Sequence, residues 1–258
     1  VPESTKCDRE PYQKKKTEKQ IFSTLLENDN LPPSEKPNKC LIDEGITVVE
    51  AGSHSVAWAL TVLSYHLLSS PPLLLKLKTE LAAAKSNGLL VPGQFEKLPF
   101  LTAVIKEALR LSYGVSLRLA RISPEADLQY GNWRIPKGTS VRMTGVLILQ
   151  NPDIFPSPRE FKPERWLEDA DGRLDKYLVS FLGGSRKCLG ITLAWAELYM
   201  CVAGLYGEFG SREVQEEGDR GVLELFETDR SDVEIVGDAF FPEVKEESKG
   251  LRVKISSK

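Results

Sequence analysis

Residues 181–190, FLGGSRKCLG, place one thiol among glycines and cations. Cys188 follows Arg186 by two residues and is framed by Gly183, Gly184 and Gly190, between a strand-like run at 177–181 and an apolar helical run that starts at Ile191. A sulfur just ahead of a helix meets the positive end of the macrodipole, which favours the thiolate, the form that binds metal or attacks. The glycines let backbone turn tightly and approach something flat and bulky. Arg186 adds a cation, and the Phe181 ring can cover a metal–sulfur bond from water. A single cysteine in a turn is commonly just buried. The whole pattern is more specific: five fixed positions, F-x-x-G-x-R-x-C-x-G, would meet by chance in a chain this long on the order of once in ten thousand.

A second constellation is KEALRLS, where Glu107 and Arg110 stand at i, i+3 and can pair on one helix face. Alone, such a pair is ordinary on a helix surface. FKPERW adds a third charge, Arg165, and EAGSHSVAW carries Gly52, His54 and Ser55.

These stretches must be positioned by a mostly helical chain. A lysine-rich, aperiodic segment at 1–20 reads as a flexible lead-in. Helical patterns follow at 20–27, 38–68, 73–84, 101–111 and 191–209; the second is ended by SSPP, because the residue before proline disfavours helix. Its apolar part, 46–68, is interrupted by Glu50, Gly52 and His54, which predicts a buried helix and not a membrane span. Short β-type runs lie at 117–122, 131–135, 139–143, 222–228, 233–236 and 251–255, with YGN and PKG as turns. The proline-punctuated stretch 151–166 reads as an ordered meander. The fold class is mostly α with small β-sheets.

The 258 residues suffice for a sizeable core and one or two domains. A net charge of -3 gives no reason to expect nucleic acid as partner. The four cysteines lack C-x-x-C spacing and the density of a disulfide scaffold, so they read as reduced thiols in a reducing compartment. Zinc is disfavoured because no ligand cluster surrounds Cys188. A phosphatase-like thiol is disfavoured because Arg186 precedes the cysteine instead of following it.

The cysteine pattern resembles the haem-binding signature of the cytochrome P-450 superfamily, the haem-thiolate monooxygenases, and the likeness runs over about residues 21–255. Its texture is most similar to fungal microsomal members, in which secondary metabolism is the expected setting. The resemblance implies the C-terminal portion of that fold: a long distal helix, the E-x-x-R helix, the Cys-ligand loop and a proximal helix. Residues 21–258 would then be one haem-binding portion of a single monooxygenase domain whose N-terminal half is absent. The cofactor implied is haem b, with Cys188 as axial iron ligand, Arg186 and Arg121 on the propionates, and Phe181, Gly183 and Gly190 shaping the loop. A thiolate ligand pushes electron density onto the iron and favours O–O cleavage.

By the same resemblance Glu107, Arg110 and Arg165 form a buried charge network that props up the haem-binding core, structural and not catalytic. Gly52 opens space for dioxygen. Ser55 stands where a threonine is usual and His54 where an acid is usual; serine keeps a hydroxyl that can donate, and histidine can shuttle protons. Residues 115–118 pass the substrate cavity.

The implied activity inserts one oxygen atom from O2 into a lipophilic substrate, with electrons from an NADPH-dependent reductase. The intact parent is expected at the endoplasmic reticulum membrane, facing the cytosol, and this chain is expected to carry no anchor and to be inactive by itself. With half of the domain absent, the apolar face of the long helix around 56–63 should be exposed. The rival readings are a haem-binding remnant without turnover, and an isomerase or dehydratase of the same family, against which the Ser55 hydroxyl speaks.

Overall fold

A computed structural model describes residues 21–88 and 93–257; the expected lead-in at 1–20 lies outside the described residues. The chain divides into two compact units, residues 1–51 and 52–258. In the first, helix α1 (Ile21–Glu27) and a 3-10 turn (Pro33–Glu35) precede the first part of helix α2 (Asn38–Leu68). Phe22 occupies the space that a side chain at Gly45 would need, since a Cβ there would meet its ring at 2.8 Å. Ile42, Ile46, Val48 and Val49 of this unit are exposed.

The second unit is built on four helices: the remainder of α2, α3 (Pro71–Ser86), α4 (Pro99–Ser112) and α7 (Ile191–Glu208). Both α3 and α4 start on proline, two residues earlier than their apolar pattern predicts. Proline lacks only an N–H that the first turn cannot use. One core gathers Val56, Ala59, Leu63 and Leu67 of α2, Leu74, Leu77 and Leu81 of α3, Leu101, Val104 and Ala108 of α4, and Leu198, Val202 and Tyr206 of α7. The three- and four-residue spacings put each set on one helix face. Each fully buried leucine contributes about 1.5–3 kcal/mol.

This core corrects one expectation. The face at 56–63 is not exposed: Val56, Ala59, Val62 and Leu63 are buried by helices of the same unit, and the exposed apolar residues of α2 lie earlier, at 42–49. The expected buried helix is thus buried along one stripe from Val56 onward. By length and composition alone α2 could cross a membrane; its most apolar 18-residue window has a mean hydropathy of 1.3 and is 22% buried.

The β component is small. Strands β1 (Leu119–Ile122) and β4 (Ser140–Met143) pair antiparallel, with Arg121 opposite Val141, and β2 (Leu128–Tyr130) and β3 (Trp133–Ile135) form a hairpin. β5 (Phe209–Gly210) runs parallel to β6 (Gly221–Leu225), which pairs with β9 (Val253–Ser257). β7 (Gly237–Ala239) and β8 (Phe241–Glu243) form a second hairpin. Between β4 and α7 come two short helices, α5 (Gly145–Leu149) and α6 (Glu164–Glu168).

Two strand readings differ from the structure. The run 177–181 is not extended; it lies in 3-10 turns at Asp175–Tyr177 and Val179–Phe181. The run 233–236 is not a strand either. Asp229 and Asp232 close a capping box around a 3-10 turn at Arg230–Asp232, and the amides of Val233 and Glu234 both donate to Arg230 O at 3.1 Å, so the start of this run is committed to the turn and not to a ladder.

A buried ion pair locks α3 to the end of α7. Lys78, fully buried, donates to Asp219 Oδ1 at 2.7 Å and to the carbonyls of Tyr206 and Phe209 at 3.1 and 3.2 Å. Those carbonyls end α7, where a cation also meets the negative end of the macrodipole.

Candidate functional site

The C-terminal turn of α4 is the hub on which the site is assembled. The last four carbonyls of a helix have no partner inside it. Here Leu109 O accepts from Ser180 Oγ at 2.7 Å, which fixes the segment leading to the cysteine loop. Ser112 O accepts from Trp58 Nε1 at 3.1 Å, which fixes α2. Gly114 then turns the chain at φ 64°, so close to Ser180 that a Cβ would lie 2.3 Å from its carbonyl oxygen. No other residue fits there. Neither Ser180 nor Gly114 was picked out by sequence pattern, because both serve contacts distant in sequence. At the other end of α4, Glu80 of α3 accepts the free N–H groups of Phe100 and Leu101 at 2.9 and 2.7 Å.

Within α4, Glu107 and Arg110 are both fully buried. Arg110 donates Nε to Glu107 Oε2 at 2.9 Å and Nη2 to Oε1 at 2.8 Å, a bidentate fork. Its remaining donors go to the carbonyls of Leu149, Pro158 and Glu160 at 2.9, 2.6 and 3.0 Å. Arg165 Nε reaches Glu107 Oε1 at 3.1 Å. Two further donors complete Glu107: Trp166 Nε1 at 2.9 Å and the Lys162 amide at 2.9 Å. Three charges are thus held with no lone pair wasted, and the 151–166 meander is pulled onto α4.

Cys188 lies three residues before α7, whose N-cap is Gly190. Its amide donates to Phe181 O at 2.9 Å, closing the loop on itself. The thiol is free and exposed, as are all residues from 183 to 190. Leu189 is 99% exposed, an unusual state for a leucine. Gly184, at φ 71°, needs its glycine; Leu182, at φ 60° and ψ -170°, stands in a conformation suited to glycine, at a cost of about 1–3 kcal/mol. A Cβ on Gly183 would meet nothing within 4 Å, and one on Gly190 only Cys188 Sγ at 4.0 Å. Phe181 packs into the helical core, its ring 6.3 Å from that of Trp195.

Arg186 and Arg121 are exposed cations with no ion-pair partner among the described residues; Arg121 donates to the neighbouring Ala120 carbonyl at 2.9 Å. A Cβ at Gly52 would meet nothing within 4 Å, so packing in this chain does not demand glycine there. Ser55 is half-buried and hydrogen-bonding or otherwise engaged, and the exposed His54 ring lies against Phe241, 4.5 Å between centroids. In the 115–118 segment, the Ser116 amide donates to Phe240 O at 3.1 Å and Ser116 O accepts from Thr144 Oγ1 at 2.7 Å. The structure therefore joins α2 near His54, the 115–118 segment and the β7–β8 hairpin, an element that periodicity did not predict.

Two cavities of about 440 and 500 Å³ lie elsewhere, the first against Trp195 and Tyr199, the second against His66 and Tyr113. In the second, burial and then Arg230 pull His66 down to about 4. Among the described residues no three His, Cys, Asp or Glu side chains cluster to hold a bare metal ion. A single exposed thiol among open glycines, an exposed leucine and free arginines instead suits a planar, anionic, apolar group that brings its own metal and needs one ligand from the protein.

Comparison with known proteins agrees with that chemistry. The family model described as Cytochrome P450 matches residues 3–221. Cytochrome P450 monooxygenase tpcC of Cochliobolus heterostrophus is 46% identical over 253 residues, which is 93% of this chain and 47% of that protein. Cytochrome P450 monooxygenase sdnE of Sordaria araneosa is 42% identical over 243 residues, 92% of this chain and 44% of its own. Tryptophan 6-hydroxylase fscE of Fusarium equiseti is 39% identical over 242 residues, 92% and 45%. The chain belongs to the cytochrome P450 family, a family of haem proteins. It spans about half the length of the curated relatives it matches.

Proposed function

We propose that this chain is the haem-binding portion of a haem-thiolate monooxygenase, which inserts one oxygen atom from O2 into a small lipophilic substrate. The observation that carries the reading is Cys188: a free, exposed thiol three residues ahead of α7, its backbone tied to Phe181 O and its neighbours open glycines. Haem b, when bound, supplies the iron that activates dioxygen. Cys188 would be its axial ligand, and Arg186 and Arg121 would take the propionates as charge-assisted donors. Phe181, its ring anchored in the core beside Trp195, holds the cysteine loop in place through its carbonyl, which accepts from the Cys188 amide. Gly52 leaves room on the α2 side, and Ser55 and His54 hold and pass protons there.

Electrons would come from an NADPH-dependent reductase. The parent would work at the endoplasmic reticulum membrane, and the substrates would be intermediates of fungal secondary metabolism. The identity over nine-tenths of the chain to fungal monooxygenases supports this setting.

The test is ligation. Haem added to the chain, reduced and exposed to carbon monoxide, should give the red-shifted band of thiolate ligation, and Cys188→Ser should abolish it. A Cys188→Ser protein that keeps the band overturns the assignment.

Ser55 should govern coupling and not haem capture. In a form completed with the remaining half of a full-length relative, Ser55→Ala should keep its haem yet divert electrons to hydrogen peroxide. Proton delivery by a positioned group is worth about 10²–10⁴-fold, so the diversion should dominate turnover. Ser55→Thr should couple as well or better. Unaltered peroxide release in Ser55→Ala would route the protons elsewhere.

A further inference from the structure

We propose that Phe241 is a positioning residue: its ring holds the His54 imidazole in place for proton delivery, an inference that rests on the oxygenase reading above. The two rings lie 4.5 Å apart, tilted by 46°, and Phe240 meets Phe241 edge-on at 5.0 Å. The hairpin that carries them is itself anchored. Ser116 donates its amide to Phe240 O at 3.1 Å, and Ser116 O is held by Thr144 Oγ1 at 2.7 Å. Phe240 forms the tip between β7 and β8 at φ 84°, a conformation that L-residues seldom adopt. The strain turns the strand sharply, and Phe241, the next residue, lands on His54.

An exposed histidine on a helix has two open χ1 wells and a broad χ2. His54 makes no hydrogen bond among the described residues, so nothing else selects one orientation. A tilted ring contact of this kind biases the rotamers about two- to tenfold toward the contacting one. A relay side chain delivers protons only while its nitrogen faces the acceptor. The hairpin therefore sets how often His54 is ready.

The chain contains only two histidines, so a protein labelled with ¹³C-histidine gives two sets of ring signals. His66, stacked on Phe161 at 4.6 Å, serves as the internal control. In the 258-residue chain, nuclear Overhauser contacts should join the His54 and Phe241 ring protons. Phe241→Leu should move the His54 ring signals and leave those of His66 in place, and Phe241→Tyr should retain the original positions. In the completed, haem-loaded form, Phe241→Leu should raise peroxide released per product about two- to tenfold at unchanged haem content, the factor set by the lost rotamer bias. Phe241→Tyr should restore the ratio.

Absence of the His54–Phe241 contact in the unsubstituted chain overturns the proposal. So does an unchanged peroxide ratio in a Phe241→Leu protein whose His54 signals have moved. If Phe241→Leu unfolds, the His66 signals collapse as well, and the contact together with Phe241→Tyr decides. A completed form that makes no oxygenated product at all sinks the oxygenase reading and with it the proton-delivery role, whereas a missing contact in an active protein sinks only the role of Phe241.

Discussion

Replacing Arg110 with alanine should leave little soluble, haem-loaded protein. Arg110 is fully buried and its guanidinium spends every donor: two on Glu107 and three on the carbonyls of Leu149, Pro158 and Glu160. Alanine would strand those carbonyls in a dry interior and leave Glu107 with only Arg165, Trp166 and one amide to hold its charge. Breaking one member of a buried set costs about 3–5 kcal/mol, a large share of the 5–15 kcal/mol by which domains are stable. Arg110→Lys should rescue little, since an ammonium cannot make the fork. The measurement is soluble yield and haem content beside the unsubstituted chain. A soluble, fully loaded Arg110→Ala protein would contradict the structural role.

The second large effect concerns turnover. The 258-residue chain, given haem, a reductase and NADPH, should not make oxygenated product in step with the electrons it consumes. Coupled oxygenation needs a site from which water is excluded. Here the cysteine loop is exposed from residue 183 to 190, and no protein atom covers a Cβ at Gly52. Water reaches both stretches. Supplying the remaining half of a full-length relative in trans should restore coupling if the two pieces complete one pocket. Sustained, coupled turnover by the chain alone would falsify this expectation and make it a minimal enzyme. Haem capture with no turnover even after complementation would favour the remnant reading.

Legibility in the sequence followed the range of the interactions. Helix α2 runs from Asn38 to Leu68, the span its pattern predicts, because periodicity and the SSPP stop are both local. The Glu107–Arg110 pair was visible as an i, i+3 spacing on a helix. What closes it was not: Trp166 and the Lys162 amide arrive from more than fifty residues away. The same holds for Gly114 against Ser180. Alternation misled at 233–236, where a capping box on Asp229 competes with extended pairing. It was silent at 237–243, because the hairpin turns on Phe240, a residue no turn rule selects. The exposure expected at 56–63 failed for a different reason. A stripe facing α3, α4 and α7 needs no absent segment to cover it.

The Lys78–Asp219 pair also bears on how this chain can change over generations. Losing either member alone leaves a full charge sealed among leucines, with the ends of α7 and of the turn at Asp219 loosened together. Any lineage that abandons the pair must pass through that intermediate or change both positions at once. The two sites, 141 residues apart in the chain, should therefore drift as a couple, while neighbours such as Lys76, whose partner Glu164 is open to water, remain free to wander singly.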